Sequence, residues 1–430
     1  MEAQTVMNMT YKEILPGIKL RVIENGRFET NCISIQFLSR INESVATKMT
    51  LIPRILRRGT AKHPDMESLA AALDDMYGAR IEPVSRKYGD IMTGGFVCDF
   101  VDMEEKLLHG VTKLLGEVLF DPKTSEGVFK DEFVEGERAN LIDEIKTEIN
   151  NKMSYAVRRA TEYMFDGSPY SVNELGTERT ADAADSKSLF KFYKKLISEC
   201  PCEIFFCGKY SYEEIEKEIL RIFKLCHREK PWKPSCEKPT YATNRRATEH
   251  LDIAQASLVI GMYTEDSDIY LSKLLASVIG GGTTSKLFAN VREKKSLCYS
   301  TGAMFDSFQK SMFMYAGIDP KNAEIAEKAI LREFDKCIHG DITDEEISNA
   351  KKGMIDDLLT TEDSLYSMEA FWLRAALLAD ERPPLEVAAA IKNIDGARLC
   401  EAARGFKPSV TYLLTGLEGA KDERKLLPEL

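Results

Sequence analysis

Histidine is scarce in this chain: there are five in 430 residues, at His63, His109, His227, His250 and His339, and no two lie four positions apart. A helix that grips a metal through two imidazoles on one face needs that spacing, so the sequence encodes no such helix. Long apolar runs are also missing; no stretch approaches the roughly 20 apolar residues of a membrane-spanning helix. The opening MEAQTVMNMTYKEILPG lacks a basic region followed by an apolar one, so no secretory signal is expected. Positive charge is in deficit, 58 Lys+Arg against 69 Asp+Glu for a net charge of -11. A surface that acidic repels phosphate backbones, and nucleic acid is not expected as a partner. Ten cysteines scattered through a chain without an export signal read as reduced thiols in a cytoplasmic protein.

What is present is a globular composition, 44% hydrophobic and 30% charged, in a length that suits two or three domains. Pro231, Pro234 and Pro239 stand among charges without apolar periodicity, and they mark residues 228–247 as a stiff linker. It separates an N-terminal domain (1–227) from a C-terminal one (248–430).

The two parts share an order of elements. Each opens on a strand-like run, CISIQF (Cys32 to Phe37) and SLVIGM (Ser257 to Met262). Further on, Met76 to Phe100 matches Leu297 to Asp319, with Tyr77 opposite Tyr299 and Asp99 opposite Asp319. Amphipathic helices follow in both, and a T-x-x-E capping box at Thr343 and Glu346 opens one of them. Each part closes with a helix leading into a strand. One unit used twice, roughly β-α-β-α-α-α-β, predicts an α+β fold of two homologous domains. Each is expected to be a mostly antiparallel sheet with helices packed on one face.

Three stretches carry a more specific likeness: TLIPRILRRGT (Thr50 to Thr60), GERANLIDEI (Gly136 to Ile145) and GGGTTSKLFANVREKKSLCY (Gly280 to Tyr299). Together they resemble the insulinase/pitrilysin family of metallopeptidases, in its bacterial branch related to mitochondrial processing peptidase. Members are built from homologous α+β domains and carry an inverted zinc motif, H-x-x-E-H, on a first-half helix. Aligned on Leu56, Gly59 and Thr60, the family's two histidines fall on Thr50 and Arg54, and its catalytic glutamate on Pro53. Threonine is a poor ligand, arginine a fixed cation, and proline has no side-chain base. The resemblance therefore implies a zinc-less chain with no cofactor of its own.

Glu137 and Glu144 stand where the family has a supporting carboxylate and its third zinc ligand. They are two helical turns apart and share a face. The reading predicts that Arg54 takes the metal's place and pairs with Glu144, and that Pro53 kinks or restarts its helix. In the third stretch, Arg292 and Tyr299 match the Arg and Tyr that reach toward bound peptide. Both are donors suited to a carbonyl or to the oxyanion formed from it.

Two other patterns are set aside. Gly280 to Lys286 lacks the glycine before lysine that a phosphate loop requires. Cys200, Cys202, Cys207, Cys226, His227 and Cys236 lack the paired spacing of a zinc ribbon. The resemblance thus implies a non-catalytic subunit that holds an extended peptide by strand addition. It would supply Arg292 and Tyr299 in trans to a homologous zinc-bearing partner. The competing reading is a peptide- or protein-binding scaffold, conceivably a homodimer, that cuts nothing.

Overall fold

The computed structural model describes residues 8–101, 103, 106–223, 232, 234, 236–266 and 268–417. It divides into two compact units. The first contains a six-stranded sheet ordered Asn8–Leu15, Ile18–Glu24, Cys202–Gly208, Thr30–Arg40, Ile91–Val101, Arg80–Tyr88. Ile18–Glu24 and Cys202–Gly208 run parallel, and the remaining neighbours are antiparallel.

The second unit contains a five-stranded sheet ordered Ser300–Asp306, Ser311–Ile318, Ala256–Tyr263, Lys407–Gly416, Arg245–Leu251. Its parallel pair, Lys407–Gly416 with Arg245–Leu251, occupies the position equivalent to the parallel pair of the first. The duplication read from the sequence is therefore a duplication of topology, with Asn8–Leu15 added to the first copy. Each expected "second strand" is a hairpin. Gly89 at φ 62 turns one, and Lys310 at φ 47 completes the turn of the other.

Strand alternation sets the layers. In the first sheet Ile33, Ile35 and Phe37 face a core built with the helices Glu43–Leu56, Leu107–Phe120, Ser186–Glu199 and Tyr212–Phe223. In the second, Leu258, Ile260 and Met262 face the helices Ile269–Gly280, Ala323–Ile338, Pro384–Lys392 and Gly396–Gly405. Thr343 and Glu346 form the predicted reciprocal cap, at 2.9 and 3.2 Å.

The units interleave the two halves of the sequence, which a division at residues 228–247 did not anticipate. Glu148–Ser171 belongs to the second unit, and Thr361–Arg382 to the first. Each segment carries a helix, Lys152–Met164 and Leu365–Leu378, that covers the sheet face opposite the main helical layer. Of the expected linker, residues 228–231, 233 and 235 lie outside the described residues, and its last positions already belong to the strand Arg245–Leu251.

Candidate functional site

The degenerate metal positions sit on the helix Glu43–Leu56, whose N-terminus is capped by Asn42. The helix runs through Pro53 rather than restarting there, and ends at Leu56. Proline removes the donor that would reach the Met49 carbonyl. The adjoining strand comes close to that oxygen: a Cβ on Gly94 would stand 2.9 Å from it. Thr50 is buried, and its hydroxyl donates to the Glu174 carbonyl at 3.2 Å. Ser85 on the edge strand Arg80–Tyr88 donates in turn to the Thr50 hydroxyl at 3.4 Å.

Arg54 donates through Nη1 to Glu144 Oε2 at 2.8 Å. Glu144 lies on the helix Asp131–Thr147 and is 45% exposed, so this is a half-open pair. Glu137, one face and two turns earlier, does not join it. Its partner is Arg58, whose Nε lies 2.6 Å from Glu137 Oε1. Sequence reasoning missed Arg58, although Arg54 and Arg58 are four apart and Glu137 and Glu144 seven apart, the spacings of two facing helical stripes. The outcome is a two-rung ladder of arginine on glutamate beside a cavity of about 250 Å³. Thr50, Pro53, Arg54, Pro83, Ser85 and Glu144 are among its lining residues.

These residues do not fit the zinc ion of the family. The hydroxyl of Thr50 is committed to a backbone carbonyl, Pro53 offers no donor atom, and the Arg54 cation already neutralises Glu144. Among the described residues no group of three His, Cys, Asp or Glu side chains is arranged to hold a metal. Of the cysteine cluster set aside earlier, Cys200, Cys202 and Cys207 are buried, while Cys226 and His227 lie outside the described residues. Burial raises the Cys207 thiol to about 12, which makes it an inert core residue.

Arg292 and Tyr299 are brought to one pocket of the second unit. It holds about 400 Å³ and is lined also by Glu293, Cys298, Asp319 and Lys321. Arg292 lies in a π-helical stretch, Leu287–Glu293, a distortion frequent at functional sites. Two buried contacts pin that stretch: Lys286 Nζ on Glu346 at 2.8 Å, and Asn290 Nδ2 on Glu333 at 2.8 Å. Lys286, only 3% exposed, is thus a structural cation and unsuited to a phosphate. Arg292 stacks over Phe288 at 4.5 Å, and its ion-pair contact with Glu293 is a long 3.8 Å. Tyr299 is 58% exposed. Both side chains carry donors and both line this pocket.

The fold is a duplicated α+β one, and where the resemblance expects a metal there is an ion pair between Arg54 and Glu144. The comparisons with known proteins agree. The family described as "Peptidase M16 inactive domain" matches residues 183–354. A Bacillus subtilis protein named "Probable inactive metalloprotease YmfF" is 26% identical over 94% of this chain and 97% of its own length. An "Uncharacterized zinc protease" of Rickettsia bellii is 26% identical over 67% of this chain and 71% of its own. Among solved structures, a conserved protein from Enterococcus faecalis V583 superposes with a TM-score of 0.89 at 23% identity, over 96% of this chain and all 100% of the other. The peptidase M16 inactive domain from Pseudomonas fluorescens gives 0.80 at 16%, over 97% and 100%. The chain is thus similar over most of its length to proteins of the M16, that is insulinase/pitrilysin, type, among them ones described as inactive. Among the described residues no helix is long and apolar enough to cross a membrane.

Proposed function

We propose that this chain is the non-catalytic subunit of a cytoplasmic, two-chain M16-type peptidase. It binds an extended peptide and offers Arg292 and Tyr299 to the carbonyl that a zinc-bearing H-x-x-E-H partner attacks. One contrast carries the reading. At the degenerate centre the charged groups close on each other, Arg54 with Glu144 and Arg58 with Glu137. At the other pocket the guanidinium and the phenol remain exposed and lightly held. A side chain kept out in water with only weak contacts is available to a ligand. The chain's own residues then hold and polarise a carbonyl oxygen, and water activation belongs to the partner.

The test is reconstitution with a candidate H-x-x-E-H chain and an unstructured fluorogenic peptide. Expected is no turnover by this chain alone, activation of the partner by it, and a loss of roughly 10²-fold or more in that activation with Arg292→Ala plus Tyr299→Phe. Full activation by the double variant would refute the assignment. A scaffold role would instead show peptide capture with no effect on any peptidase partner.

A further inference from the structure

The cavity beside Arg54 has a chemistry of its own, independent of Arg292 and Tyr299. Two of its features come from the sheet edge. Arg80–Tyr88 is the last strand of its sheet, so alternate residues turn their backbone groups away from it. The bond from Ile41 N–H to the Asp90 carbonyl sets the parity of the Thr30–Arg40 and Ile91–Val101 pair. Through the register of Ile91–Val101 with Arg80–Tyr88, the outward set is then Ile81, Pro83, Ser85 and Lys87.

That outward row is unsuited to a long added strand. The Ile81 carbonyl is already taken by Arg57 Nε at 2.7 Å, and Pro83 has no N–H to give. At the cavity itself this row presents a carbonyl at Pro83 and both backbone groups at Ser85, two of the residues lining it. An occupant of the cavity therefore meets one backbone donor and two acceptors from the edge, and cannot continue the ladder toward Ile81.

The charged side chains are mixed in sign. Arg54 uses Nη1 on Glu144, which leaves Nε and Nη2 without a partner among the described residues. Glu144 and the exposed Glu174 line the same space. A simple anion would meet two carboxylates there, and a simple cation would meet the guanidinium. A ligand carrying both charges, its carboxylate on Arg54 and its ammonium among Glu144, Glu174 and the Pro83 carbonyl, satisfies every group. The volume of about 250 Å³ suits something small. We infer that this cavity binds the zwitterion of a short peptide, of dipeptide size, by both of its termini. The degenerate centre is on this account a small-peptide binding site rather than a vestige.

The test uses the full chain with alanyl-alanine as probe, read by thermal unfolding, since a ligand that binds the folded state raises the melting temperature. Expected is a dose-dependent rise with alanyl-alanine, and little or none with N-acetyl-alanyl-alanine or alanyl-alanine amide at equal concentration. Arg54→Ala should abolish the rise measured against its own baseline. Glu174→Gln, an exposed change that leaves the fold intact, should shift the dose response to at least about tenfold higher dipeptide. No rise with the free dipeptide, equal rises with either capped form, or an unaltered dose response in both variants would each overturn the inference.

Discussion

The two exchanged segments do the same job with different shares of charge: beneath Lys152–Met164 it is concentrated on Glu249, which accepts from Arg159 and from the Tyr155 and Tyr412 hydroxyls, and beneath Leu365–Leu378 it is spread across the face. Lys152–Met164 lies on the second sheet through small and aromatic residues: Ala156, Ala160, Met164, Phe165 and Tyr170 pack with Val259, Phe313, Val410, Tyr412 and Leu414. Leu365–Leu378 lies on the first sheet over a layer of charge. Glu369 is fully buried, accepting from Arg86 and from the Ser34 hydroxyl, each at 2.7 Å. Arg21 is 3% exposed; it stacks on Trp372 at 4.5 Å and pairs with Glu381. Arg80 and Tyr366 share Asp99. The difference teaches that a topology fixes where a cover must go and leaves open what holds it. The apolar seam draws on area removed from water, the charged one on partners that must all be present.

The sharpest way to break the contrast is to put a charge into the apolar seam. Ala160→Asp buries an unpaired carboxylate among aromatics and is expected to cost about 5 kcal/mol or more, unfolding the second unit. Urea titration followed by circular dichroism measures it. Next comes removal of one partner in the charged seam. Glu369→Ala strands Arg86 and should cost roughly 3–5 kcal/mol, whereas replacing Glu369 and Arg86 together by methionine should cost much less. Equal losses in the single and double variants would mean the pair is not what holds that helix.

A pH titration separates the seams further. Burial pushes Glu203 in the first sheet up to about 7, despite Lys19, the Tyr11 hydroxyl and Arg21 beside it. The folded state therefore holds a proton that the unfolded chain, with an ordinary value of 4.5, releases earlier. Stability of the first unit should fall as pH rises from about 4.5 to about 7 and level off above, by an amount on the order of 3 kcal/mol. Trp372 fluorescence in a Trp232→Phe background is the local probe, and Glu203→Gln should flatten the profile. The smallest effect is expected at the part-exposed ladder: Glu144→Ala should change stability by less than about 1 kcal/mol, and by less still in high salt.

Much of this architecture is legible in the residues. Alternation in CISIQF and SLVIGM gives the central strands, and the Thr343–Glu346 cap gives a helix start. Arg54 and Glu144, chosen by alignment, do meet. What the sequence hides is long-range. The pattern of Lys152–Met164 tells which face is apolar but not which of the two sheets it will cover. The charged face under Leu365–Leu378 is harder still, because Arg21, Glu203 and Glu369 look like surface residues until strands distant in sequence surround them. Arg58 was not legible because none of the aligned metal positions falls on it.

The exchange of segments also has a consequence for synthesis. Every strand of the first sheet has been synthesised once Gly208 is made, yet the stretch that covers its charged face is not complete until Arg382. For the interval between them a nascent chain carries Arg21, Glu203 and their neighbours uncapped, so the first sheet to be born waits for its cover until most of the second unit has been made.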